Sequence, residues 1–196
     1  MACRRYVYLF ELEDVFVNPI VRYSSLTNDL LESSGSKLAF FKGSLQPDVL
    51  ILGEAPGPQE NIEGVPFVGD CGRELDYLLN SSGLSDFQLS FLNSVFRMPV
   101  GEGGRFRKPT EQEIDAYRSM VMEIIEFLSP KFILACGNIA CYSLLERQGI
   151  TRIRGKWYSR VMPTFHPGYT LRNTQERGLV IGDISKVVEA CNQPLW

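Results

Sequence analysis

The chain has one histidine in 196 residues, no Cys-x-x-Cys pair among its five cysteines, and no apolar run approaching a membrane span of ~18 residues. Each absence removes a class of protein. The dispersed, odd set Cys3, Cys71, Cys136, Cys141 and Cys191 supports neither a disulfide framework nor a zinc site. Arg4 and Arg5 give a basic start, but Glu11, Glu13 and Asp14 cut the following apolar stretch too short for a signal peptide. An intracellular protein, cytoplasmic or nucleoid-associated, with no membrane partner is expected. No internal repeat or low-complexity segment is present.

Positive charge is also scarce. A formal net charge of −3 argues against a generic nucleic-acid binder, but the distribution qualifies this. Residues 1–96 hold 6 Lys+Arg against 13 Asp+Glu, a net of −7, whereas residues 97–196 hold 14 against 10, a net of +4. The basic residues cluster as Arg105-Phe106-Arg107-Lys108, as Arg152, Arg154, Lys156 and Arg160, and as Arg172 with Arg177. A local basic strip holds phosphates even on an acidic protein, and solvated loop charge is the alternative reading.

With 44% apolar and 22% charged residues, the composition suits one domain, residues 1–196, with one sizeable core. Residues 1–46 read as an extension that covers it. Tyr6–Val17 is expected to form a strand or hairpin, and Ser25–Ser33 a helix stopped by Gly35. Short apolar runs predict strands at Asp48–Leu52, Phe87–Val95, Phe132–Cys136 and Ser159–Phe165. Helical spacing predicts helices over Gly72–Asn80, Gly137–Gln148 and Ile181–Ala190. A further helix runs from Thr110 to Leu128, with Thr110 and Glu113 placed as a capping box. Arg152–Trp157 reads as a basic turn or hairpin. Alternating strands and helices predict an α/β fold, a three-layer α/β/α sandwich around a mostly parallel four-stranded sheet.

Within this order one stretch stands out. Leu50–Gly72 runs from a buried strand into a loop punctuated by Gly53, Gly57, Gly64 and Gly69 with Pro56, Pro58 and Pro66, and open α/β sheets bind ligands at such strand ends. Its string Gly53-Glu54-Ala55-Pro56-Gly57, Glu60, Gly64, Pro66-Phe67-Val68-Gly69 closely resembles the first motif of the family 4 uracil-DNA glycosylases. Asn93 at a strand end, Pro130–Asn138, and Pro163–Asn173 follow in that family's order. The resemblance covers roughly Pro47 to the C-terminus and implies a uracil-DNA glycosylase-like fold.

Three strands then end in polar residues that can face one crevice: Glu54, Asn93 and His166. A glycosylase must take its base out of the stack, hold it by face and edge, and stabilise it as a leaving anion. Phe67 offers a face, although beside Val68 it also reads as core. The Asn93 amide matches the uracil N3–H and O4 edge, although a turn-forming asparagine reads similarly. The resemblance implies that His166 donates a hydrogen bond to uracil O2 as charge develops, whereas a lone histidine is otherwise often structural. It also implies that Gly53 and Ala55 line the base. Ala55 stands where the related family 1 enzymes carry a water-orienting aspartate, so Glu54 is the candidate for positioning water. Gly57 stands where those enzymes reject thymine with a tyrosine, and Glu60 is the candidate for crowding the C5 side instead.

For DNA contact, Arg105, Arg107 and Lys108 form one candidate group. Gly168, Tyr169, Leu171 and Arg172 form the other, in the place of the family's DNA-inserting loop, with Leu171 as wedge and Arg172 on a phosphate. Many family 4 enzymes hold an iron–sulfur cluster with four cysteines. Here Arg97 stands at one cysteine position and the upstream pair is missing, so no cluster, metal or other cofactor is expected. The reading is a monomeric hydrolase that removes uracil from DNA. A catalytically silent DNA-binding or protein-interaction module, or a glycosylase for a modified pyrimidine, are the alternatives.

Overall fold

The computed structural model of the protein describes residues 18–193. The strand or hairpin expected over Tyr6–Val17 therefore lies outside the described residues. The chain enters through α1 (Pro19–Tyr23) and strand β1 (Phe41–Gly43), then β2 (Val49–Gly53), α2 (Pro58–Glu63), α3 (Asp70–Ser82) and β3 (Leu89–Asn93). It continues through α4 (Glu111–Leu128), β4 (Phe132–Cys136), α5 (Gly137–Leu145), α6 (Ile150–Ile153), β5 (Val161–Thr164), α7 (Pro167–Arg172) and α8 (Arg177–Cys191).

Strand β2 is apolar and buried at every position. Because successive side chains point to opposite faces, Leu50 and Leu52 enter one apolar cluster with Ile114, Tyr117 and Val121 of α4. Val49 and Ile51 enter another with Leu75 and Leu78 of α3 and Ile184 and Val187 of α8. This division makes the three layers. Each fully buried aliphatic side chain contributes about 1.5–3 kcal/mol relative to exposure.

The sheet order is β1-β3-β2-β4-β5, with β1 antiparallel to β3 and the other pairs parallel. The sheet thus has five strands where four are expected. The extra strand, β1, is a three-residue edge too short to show an alternating pattern, and it ends at Gly43, whose φ is 110°. A Cβ there would lie 2.5 Å from the Leu89 carbonyl oxygen, so glycine is what allows this close pairing.

The helix expected over Ser25–Ser33 is absent. Helix α1 lies earlier, started by Asn18, whose side chain accepts the Ile20 N–H, and by Pro19. Residues 32–34 form a single 3-10 turn closed by Gly35 in the left-handed region. Asp29 accepts the Leu31 N–H at 3.1 Å, and such local side-chain bonds compete with the helix ladder. The basic segment after α5 forms α6 and a turn, not a hairpin. The capping box is formed as expected: Thr110 accepts the Glu113 N–H at 3.2 Å, and Glu113 accepts the Thr110 N–H at 2.8 Å.

Among the described residues, no helix is long and apolar enough to cross a membrane.

Candidate active site

Parallel pairing sets Gly53 of β2 beside Asn93 of β3, so these two residues share the carboxyl end of the sheet. Gly53 makes room for both halves of the site. A Cβ on it would lie 2.4 Å from Phe67 Cζ and 2.8 Å from Asn93 Oδ1, distances no side chain tolerates. The Phe67 ring is buried with its neighbour Phe91 at 5.7 Å between centroids. Its backbone has φ of 55°, a left-handed conformation that costs a non-glycine residue free energy. Two contacts hold it there. Lys42 Nζ donates to the Phe67 carbonyl at 2.9 Å, and the first turn of α3 approaches so closely that a Cβ on Gly72 would fall 2.2 Å from the same oxygen.

The Asn93 amide is fixed by its Nδ2, which donates to the Ala39 carbonyl at 3.2 Å. Its Oδ1 and second amide hydrogen remain for a ligand edge.

Glu60 is buried and accepts the Gly57 N–H at 3.0 Å through one carboxylate oxygen, and the Val68 and Gly69 N–H groups at 3.2 and 3.0 Å through the other. The carboxylate clasps the two ends of the glycine-rich loop together.

His166 caps α7. Its Nδ1 accepts the Gly168 N–H at 3.1 Å, which assigns the proton of the neutral ring to Nε2. Burial, assisted by the charges of Arg172 and Lys108, lowers its pKa to about 4 from the ordinary 6.5, so the imidazole is neutral at physiological pH. Behind the ring stands Gly137, with φ of 90°; a Cβ there would lie 2.9 Å from His166 Cβ. Burial raises the pKa of Glu54, while Lys108 and Arg172 oppose the rise. The same two cations thus act on both titratable groups of the site.

A cavity of about 680 Å³ is bordered by Glu54, Phe67, Asn93, His166, Lys108 and Arg172. An apolar cavity of about 150 Å³ suffices for a benzene ring, so this one has room for more than a single pyrimidine. Ala55, Glu60, Gly168 and Tyr169 also border it, whereas Gly53 lies behind Phe67 and Asn93, and Arg105 and Leu171 stand outside the lining. Residues 169–172 belong to helix α7 and not to a loop, because Pro167 opens a helical turn capped by His166. Thr170 is buried in that turn, and Leu171 and Arg172 are exposed, Arg172 at the cavity and Leu171 outside its lining.

Several of the expected phosphate contacts are engaged within the protein. Arg107 makes a two-pronged pair with Glu113 at 2.7 and 2.5 Å, Arg154 pairs with Asp183 at 2.6 Å, and Arg177 pairs with Glu74 at 2.5 Å. Lys108 and Arg172 have no ion-pair partner among the described residues and remain at the cavity.

Sequence reasoning missed Lys42, Gly137 and Phe106. Gly137 carried a signal, a glycine directly after an apolar strand, and Phe106 carried one too, an aromatic set among basic residues. Lys42 carried none.

Such a cavity offers an aromatic face, an amide edge and a neutral donor, which is what holding a flat heterocycle would require. The chain belongs to the uracil DNA glycosylase superfamily, whose sequence model matches residues 40–195. A type-4 uracil-DNA glycosylase of Thermotoga maritima is 34% identical over 154 residues, 74% of this chain and 78% of that protein. One of Saccharolobus solfataricus is 33% identical over 163 residues, 76% of this chain and 74% of that protein. A DNA polymerase of Bacillus phage SP01 is 26% identical over 160 residues, 80% of this chain but 17% of that protein.

An iron–sulfur cluster of the kind held by many family 4 enzymes does not fit the described residues. At the expected cysteine position Arg97, buried, pairs with Asp29 at 2.7 Å and donates to the Ser36 and Leu26 carbonyls at 2.6 and 2.8 Å. Asp29 also accepts the Tyr117 hydroxyl. Among the described residues no group of His, Cys, Asp or Glu is placed to hold a metal ion. The guanidinium instead ties residues 26–36 to the core.

Proposed function

We propose that this protein hydrolyses the N-glycosidic bond of uracil flipped out of DNA, leaving an abasic site for repair. The observation that carries the reading is the His166–Gly168 hydrogen bond, because it leaves a neutral Nε2–H as the group available to the ligand. Uracil stacks on Phe67. Asn93 Oδ1 accepts N3–H and the free Nδ2 hydrogen donates to O4, an arrangement that cytosine meets with reversed polarity. As the C1′–N1 bond breaks, negative charge spreads onto O2, where His166 Nε2–H donates to it. One donor aimed at developing charge is worth roughly 3–4 kcal/mol in other enzymes. Water then adds to C1′. Glu54 orients that water and accepts its proton, and the uracil anion takes a proton from solvent.

Glu60 enters this reading as a clasp of the loop that carries Ala55 and Phe67, because its carboxylate oxygens are already engaged by three backbone donors. Lys108 and Arg172 hold the phosphates at the cavity mouth. Arg105 and Leu171 meet DNA outside it, and Gly168 and Tyr169 form the wall between. Residues 1–196 act as one domain, a monomer that needs no metal, in the compartment that holds the cell's DNA. Oligonucleotides differing only in uracil, thymine or cytosine at one position test this. Free base and an alkali-labile strand are expected from uracil alone. Binding without release of any base would instead favour a silent DNA-binding module.

A further inference from the structure

The segment Pro99–Arg107 is a closed hairpin. Val100 bridges Phe106, Gly101 N–H donates to the Arg105 carbonyl at 2.8 Å, and Arg107 N–H donates to the Pro99 carbonyl at 3.1 Å. Its tip turns through Gly103 and Gly104, with φ of 68° and 75°. Its base is pinned by the Arg107–Glu113 pair to the start of α4. On this hairpin Phe106 belongs to neither apolar cluster, and its ring pairs with no other aromatic among the described residues. It is 41% exposed and yet borders the same cavity as His166 and Asn93. Single exposed apolar residues are ordinary. One held beside a binding cavity, between Arg105 and Lys108, on a pinned hairpin is placed for a ligand.

We propose that Phe106 is a stacking platform for the nucleobase adjacent to the flipped one, a second subsite for single-stranded DNA. This rests on the glycosylase reading. The cavity exceeds the needs of one pyrimidine, and the base it would add presents a π-face to Phe106 while its phosphates meet Lys108 in the lining and Arg105 just outside it. A flipped nucleotide has two neighbours. Leu171, on α7, serves one side of the gap, and Phe106, on a different element of the rim, serves the other. Aromatic stacking accepts any base, so the subsite adds affinity without reading sequence.

The test uses single-stranded oligonucleotides carrying 2′-fluoro-2′-deoxyuridine, whose glycosidic bond resists cleavage, with an abasic spacer placed 5′ or 3′ of it. With the full chain, one spacer position and not the other should weaken Kd by about tenfold, within the range that base–aromatic stacking supplies. Phe106→Ala should bring that ratio to about one, and Phe106→Trp should keep it. A ratio unchanged in Phe106→Ala overturns the proposal. Equal weakening by Phe106→Ala on every oligonucleotide also overturns it, because it would set Phe106 against the flipped base itself. Uracil release from an ordinary substrate is measured alongside. Its absence would refute the glycosylase reading, while the Kd ratio decides the subsite on its own.

Discussion

Gly53 and Phe67 occupy adjoining space: a Cβ on Gly53 would lie 2.4 Å from Phe67 Cζ. The ring proposed as the site's face and the amide proposed as its edge both occupy the space that a side chain on residue 53 would take. Gly53→Ala should therefore push the ring aside while leaving β2 paired. The expected result is a rise in KM for a uracil oligonucleotide of about tenfold or more, in line with stacking worth about 1–3 kcal/mol, with unchanged circular dichroism.

Glu60 leads to a prediction opposite to a gating role. Glu60→Ala would release the Gly57, Val68 and Gly69 N–H groups from a single carboxylate and loosen the loop around Phe67. Uracil excision should fall by about tenfold or more, since a buried donor left unpaired, here the Gly69 N–H, costs about 1–3 kcal/mol. Thymine should remain excluded. Efficient thymine release by the variant would restore the gate.

His166 is the only imidazole, so its titration is observable without assignment. Burial lowers its pKa to about 4, below the ordinary 6.5. The ring signals in nuclear magnetic resonance should stay flat from pH 8 to pH 5.5. The linked stability has a definite sign. Between the two pKa values the unfolded chain binds the proton and the folded one does not, so this contribution is full above about pH 6.5 and is lost as pH falls toward 4. An inflection near 6.5 would contradict the neutral donor.

Arg97 ties residues 26–36 to the core through an ion pair and hydrogen bonds. Arg97→Ala leaves Asp29 buried without its partner, and breaking a buried pair costs about 3–5 kcal/mol. Urea denaturation should show a loss of that size. Arg97→Lys should recover only part of it, because a lysine cannot reach Asp29, Leu26 and Ser36 together.

The strands, the long helix and the strand-end residues were legible because β2, β4 and α4 carry strong apolar patterns and a cap. Asn93 and His166 were legible as polar residues at strand ends, while the roles expected of them came from the family resemblance and not from position alone. What was not legible depends on tertiary contact. Strand β1 is three residues whose pairing rests on Gly43, and Asp29 trades a helix for a bond to Arg97. The roles of Glu60 and Arg107 follow from partners that spacing does not reveal: backbone N–H groups nine residues away for Glu60, and a helix cap for Arg107.

Single-turnover cleavage of a single-stranded oligonucleotide with one uracil, without added metal, tests the central claim most directly when native protein is compared with His166→Ala and Asn93→Ala. The account predicts free uracil from the native protein and a rate loss of at least about a hundredfold for His166→Ala, the scale of one lost donor at developing charge. Native release that His166→Ala leaves undiminished, or no native release from a bound oligonucleotide, would contradict it.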